Sequence, residues 1–174
     1  MMKGLMILTG LAFAASAFAA EPAKPAGPTD PEIAHIVVTA DAVDVEAGKL
    51  AEKMSKNKEV KKFAKQMVTD HTAVNKQASD LAKKLHVLPQ DNATSKSLKE
   101  GGDANIAKLK TLKGKEFDKE YVDHEVAYHQ AVLDTIDKTL IPNAQNAELK
   151  GLIEKVRPAI QAHLEHAKML AGKM

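Results

Sequence analysis

From Ile33 onward the apolar residues recur in steps of three and four. Ile33, Ile36, Ala40, Val43, Ala47, Leu50 and Met54 trace one stripe, the spacing of a helix that buries one face. Asp30 suits the N-cap, Pro31 the first helical position and Glu32 the positive helix end, so a helix is predicted from there to about Ser55. Asn57 caps a second, with Val60, Phe63, Met67, Val74, Ala78, Leu81 and Leu85 on one side. It ends at "VLPQDN", because proline cannot continue a helix.

The pattern then weakens. Leu98, Ile106, Leu109 and Leu112 keep some helical spacing, but Gly101-Gly102 and Gly114 break it, which predicts a short helix or two in a connecting segment. Strong periodicity resumes from Phe117 to Leu140. "IPNAQN" is a turn, and a last helix runs from about Ala147 to Leu170, interrupted at Pro158, which the wheel puts on the outer face and which should kink the helix without breaking it. No stretch alternates as strands do, and no internal repeat is visible. Four long amphipathic helices with one longer connection predict an all-α four-helix bundle, with a short helical insertion between the second and third long helices.

The head of the chain changes the picture of where this bundle resides. Lys3, the apolar run Leu5 to Phe18 and the small-x-small site Ala17-Phe18-Ala19 have the form of a secretory signal peptide over residues 1–19. The Pro/Ala/Gly-rich residues 20–30 are expected to be a disordered tether, leaving 31–171 as the bundle domain. A periplasmic location follows, with no transmembrane segment in the mature chain. Loss of Lys3 takes the 25 basic residues to 24 against 23 acidic ones, a net charge of +1, and nothing in that balance recruits nucleic acid. The chain has no cysteine. Thiolate zinc sites, iron–sulfur clusters and thiol nucleophiles are thereby excluded, and any metal must use His, Asp, Glu or Met.

Candidate chemistry concentrates in "YVDHEVAYHQ", Tyr121 to Gln130, which holds both tyrosines and two of the seven histidines. At about 100° per residue, Glu125 and His129 fall in the middle of the apolar stripe of their helix. His124 falls on its edge. Tyr121 and Tyr128 flank the pair, with hydroxyls placed to bond it. His71 lies on the Phe63–Met67–Val74 stripe with Asp70 at its margin, and His163 on the Val156–Ile160–Ala167 stripe. Counting from the turn near Ala144, Glu125 and His163 are each 19 residues away and His129 is 15. Counting from the turn near Lys56, His71 is about 15 residues away, level with Val43 and Asp44. Two readings stay open: a metal site of His71, His129, His163 and Glu125, or a mutually satisfied polar network in the core. Zinc or copper(II) suits such ligands better than magnesium or calcium. Met67 with His71 offers copper(I) a softer pair, and "HLEH" sets His166 one turn beyond His163. Glu32-x-x-His35 has the spacing of a di-iron ligand pair, but His35 turns away from the stripe.

The blocks "VEAGKLAEK", "VKKFAKQMVTDHTAVNKQ", "FDKEYVDHEVAYHQAVL" and "RPAIQAHLEHAKML" resemble the successive motifs of domain-of-unknown-function family 4142, over about residues 30–171. The resemblance implies an exported bacterial protein with a ferritin-like helical bundle. It implies recurring polar positions at Asp70, His71, His129 and His163. The Glu-x-x-His pairs of ferritin-like di-iron sites are missing here: Val68, Val126 and Ile160 stand three residues before the inward histidines. The functional reading is an exported binding protein holding a transition metal. The alternatives are a metal-free structural or partner-binding, stress-associated bundle, and a metal-dependent oxidase or hydrolase. No catalytic residue is assigned.

Overall fold

The computed structural model describes residues 27–174, so the expected signal peptide and most of the expected tether lie outside the described residues. The helices are α1 (Asp30–Met54), α2 (Lys58–Lys84), α3 (Ala93–Thr111), α4 (Gly114–Thr135), α5 (Ile141–Asn143) and α6 (Ala147–Ala171), and a π-helical turn, Ile136–Leu140, extends α4. There is no strand among the described residues. The four long helices α1, α2, α4 and α6 form a ferritin-like bundle, α1 against α2 and α4 against α6, and α3 lies across α1.

The N-cap differs by one residue from the sequence expectation. Thr29 caps α1, and the Glu32 carboxylate accepts from its backbone N–H and its hydroxyl at 2.8 Å each, a capping box. Asp30 is helical instead, and its carboxylate accepts the backbone N–H groups of Gln145 and Asn146 at 2.9 Å each. The end of the predicted tether therefore ties the start of α1 to the start of α6. Asn57 caps α2 as expected, accepting from Glu59 N at 2.9 Å. At the other end His86 takes the left-handed conformation (φ 54). Val87 N–H donates to Ala82 C=O at 2.9 Å and His86 N–H to Lys83 C=O at 3.1 Å, a Schellman stop made without glycine.

The connecting segment holds one helix of 19 residues rather than fragments. Gly101-Gly102 does not break it, because Gly102 is where α3 meets α1: a Cβ there would stand 2.7 Å from Val43 Cγ1. Gly101 faces open space. Pro158 likewise sits inside a continuous α6, on its exposed face. The ring removes one donor without ending a helix whose other face is anchored in the core.

Two apolar clusters fill the bundle. One joins Phe63, Met67, Leu109, Phe117 and Tyr121 near the α1–α2 turn. The other joins Ile33, Ile36, Leu133, Leu149, Ile153 and Leu164 toward the α6 start. Between them the interior is polar.

The two adjacent glycines should respond oppositely to alanine. Gly101→Ala adds helix propensity at an open position and should stabilise by about 0.5–1 kcal/mol. Gly102→Ala must displace Val43 and should destabilise by about 1–3 kcal/mol. Chemical denaturation of both variants checks this; equal effects would mean that α3 does not seat on α1 at Gly102.

Candidate metal centre

Six ionisable side chains occupy the layer between the apolar clusters: Asp41, Asp44, His71, Glu125, His129 and His163, each at most 5 % exposed. α1 contributes both aspartates because positions 41, 44 and 48 share one helix face. Gly48 lets that face come close to α2: a Cβ on it would stand 2.8 Å from Val68 Cγ2 and 3.0 Å from Ala64 O. α2 supplies His71, α4 Glu125 and His129, α6 His163. The layer is an energetic sacrifice. A leucine at each position would contribute about 1.5–3 kcal/mol by burial, against a total stability of about 5–15 kcal/mol for an ordinary domain.

The three imidazoles predicted to point inward do converge. Ring centroids of His71, His129 and His163 lie 5.3–5.6 Å apart, and one ring nitrogen from each falls within 4.8 Å of the others. Each ring is held from behind. His71 Nδ1 pairs with Asp41 Oδ1 at 2.8 Å, His129 Nδ1 donates to the Glu125 carbonyl at 3.0 Å, and His163 Nε2 pairs with Asp70 Oδ2 at 2.9 Å. The remaining nitrogens, His71 Nε2, His129 Nε2 and His163 Nδ1, are buried and lack a hydrogen bond. A neutral imidazole that donates through one nitrogen carries a lone pair on the other, as burial favours for His129 and His163; His71, favoured as a cation beside Asp44 and Asp41, must give up a proton to offer one. Orientation of metal-binding imidazoles by carboxylate or carbonyl partners behind them is the general pattern of such sites.

Asp44 closes the group from the α1 side. Its Oδ2 lies 3.0 Å from His71 Nε2 and 3.4 Å from His129 Nε2, yet neither of its oxygens makes a hydrogen bond. Asp44, Glu125 and His129 form a second set of potential ligand atoms within 4.8 Å of one another. Glu125 thus joins the cluster through His129, its Oε2 3.3 Å from that ring's Nδ1. Sequence reasoning singled out neither Asp41 nor Asp44. The depth count had placed Asp44 level with His71, and that was the available signal.

Several neighbours take other roles than the sequence suggested. Tyr128 donates its hydroxyl to the Ala40 carbonyl at 2.9 Å instead of to the cluster. The Tyr121 hydroxyl favours ionisation of Glu125 but makes no hydrogen bond of good geometry. His124 is half-buried and stacks on Tyr128, 5.7 Å between centroids. His35 lies 3.2 Å from Asp91, and His166 packs edge-on against Phe63. Met67 is part of the apolar core.

Burial dominates the electrostatics. It raises the Asp44 carboxyl, with Glu125's charge adding, to about 7, and raises Glu125 to about 8 although His71 opposes. Burial works against charge on His71, but Asp44 and Asp41 outweigh it and lift that ring to about 9. Burial depresses His129, with Asp44 opposing, and takes His163 down to about 4 despite Asp70. The cluster therefore holds protons that a metal ion would displace.

This fold and cluster define a class: an all-α, ferritin-like bundle whose interior carries His and carboxylate groups arranged closely enough to hold a metal ion. The chain belongs to the family described as a domain of unknown function, DUF4142, whose model matches residues 14–170. A solved structure described as CopM in the Cu(II)-bound form is similar at a TM-score of 0.65 and 16% identity, covering 84% of this chain and 98% of that one. At that identity the likeness speaks for the fold. No curated protein matches the sequence. Among the described residues no helix is long and apolar enough to cross a membrane.

The shifts fix the sign of a pH dependence. Asp44, Glu125 and His71 have folded values raised above their ordinary 3.8, 4.5 and 6.5. The stability tied to each is present at low pH and lost as pH climbs through the folded value. His163, depressed from 6.5 to about 4, contributes in the opposite sense, and its contribution is complete above about 6.5. The metal-free protein should therefore lose thermal stability between about pH 6.5 and 9. Melting curves in chelator across that range check this, and a flat or rising profile would contradict the protonated cluster.

Proposed function

We propose that the protein is an exported, periplasmic binder of a transition metal ion, with zinc or copper(II) as the ion. His71, His129 and His163 supply nitrogen ligands, and Asp44 and Glu125 supply oxygen. The observation that carries this reading is the arrangement of the three imidazoles. Each is oriented through one nitrogen and leaves the other buried without a hydrogen bond, toward the neighbouring rings and, for His71, beside Asp44 at 3.0 Å. A purely structural network would be expected to close those bonds, since each unpaired buried polar group costs about 1–3 kcal/mol. Imidazole and carboxylate together suit zinc and copper(II), and the copper(II) held by the similar structure, CopM, favours copper. The leader-like start of the chain supports export. The ligand set is a binding arrangement, and no group in it is assigned a catalytic role.

The competing reading is a metal-free layer that fixes how the four helices face each other. Calorimetry and melting of the purified chain separate the two. Copper(II) or zinc at about a hundred times its dissociation constant should stabilise the wild type by about 2.7 kcal/mol. His129→Leu removes a ligand and should weaken binding by about tenfold or more, cutting that gain to about 1.4 kcal/mol or less at the same metal concentration. If neither ion changes wild-type melting at neutral pH, the metal reading fails and the layer is structural.

A further inference from the structure

We propose that the ion enters through the seam between α2 and α6, with Asp70 as the carboxylate that receives it. The inference rests on the metal-binding reading above and concerns how a sealed set of ligands is reached. His71, His129 and His163 are at most 4 % exposed. Of the carboxylates bonded or ion-paired to them, the side chains of Asp41, Asp44 and Glu125 are 6 %, 0 % and 1 % exposed. Asp70 is the exception: its side chain is 42 % exposed while its Oδ2 lies 2.9 Å from His163 Nε2. His163 therefore links the half-exposed Asp70 to the buried rings. Its Nε2 meets a carboxylate in contact with water, and its Nδ1 is buried and unbonded among the other two rings.

An ion moving inward must exchange water for protein ligands step by step, because a bare charge in an apolar passage is prohibitively unfavourable. The Asp70–His163 pair offers that exchange: a half-exposed carboxylate, then the buried imidazole bonded to it, whose other nitrogen lies among the inner rings. The other approach is a cavity of about 50 Å³ that reaches His129 and Asp44 past Val37, Val74, Val132 and Ile136. Apart from the cluster its walls are apolar but for the Tyr128 and Thr135 hydroxyls, both of which already donate to backbone carbonyls, and they offer a cation no carboxylate in place of its hydration shell. On this reading Asp70 has two roles. It orients His163, and it collects the cation at the mouth of the seam.

Stopped-flow uptake of zinc ions by the full chain, paired with release to a chelator, tests this. Asp70→Asn keeps an acceptor for His163 Nε2 but removes the charge. It should slow uptake about tenfold, the scale of local electrostatic steering, and Asp70→Lys should slow it further. An entry residue changes uptake and release together, so the dissociation constant of Asp70→Asn should stay within about threefold, well short of the loss from a missing orienting partner. Unchanged uptake with weakened affinity would overturn the proposal and leave Asp70 as an orienting residue alone. Faster uptake in Val132→Ala, with Asp70→Asn unchanged, would overturn it in favour of the cavity. A wild type that binds neither zinc nor copper would sink the metal reading itself, and entry with it.

Discussion

The arrangement of this protein turns on six ionisable side chains gathered in one dehydrated layer at mid-height in the bundle. Such groups are stable in a core only when each has a partner, and the partnering here is incomplete in a specific way. The bonds that hold the imidazoles are made: Asp41 to His71, the Glu125 carbonyl to His129, Asp70 to His163. Their inner nitrogens make no hydrogen bond, although that of His71 faces the Asp44 carboxylate at 3.0 Å. The apolar clusters on either side supply the rigidity that keeps these rings in place. A polar layer between two packed layers cannot relax by letting water in without unpacking one of them.

Secondary features serve this layer. Gly48 permits the close approach of α1 to α2 that brings Asp41 and Asp44 onto His71. Asp30 clamps the start of α1 to the start of α6. Arg157 reaches from α6 to Asp137 in the π-helical turn through two bonds of 2.6 Å each, pinning α4 against the helix that carries His163. π-helical turns recur near functional sites, and this one contributes Ile136 and Leu140 to the cavity beside His129. The electrostatic consequence of the layer is a cluster that is heavily protonated when it holds no cation, with carboxyls raised by burial and only His71 favoured as a cation.

Much of the architecture could be read along the chain. Helical periodicity is strong wherever a helix buries one face, so the four long helices and the inward direction of His71, His129, His163 and Glu125 were legible from spacing alone. α3 was less so, because glycine weakens a helical pattern whatever its purpose. Gly102 is there to admit Val43, a reason that lies on another helix. Pro158 was legible by contrast: the wheel puts it on the outer face, where a proline need not end the helix, and α6 continues through it on the solvent side.

Composition, spacing and turn positions were enough for the helices, for their inward polar residues and for the rough depth of each. They could not place Asp41 and Asp44, since an aspartate on a helix of small and branched residues looks like a surface residue until a partner helix covers it. Nor could they say which nitrogen of each imidazole is free, that Asp70 belongs to His163 and not to its neighbour His71, or that Tyr128 bonds the Ala40 carbonyl. Those are relations between helices. A helical wheel gives the direction of a side chain about its own axis, whereas hydrogen bonds across the bundle depend on the relative height and separation of two axes. Close contacts such as that at Gly48 set both, and they exist only once the chain has packed.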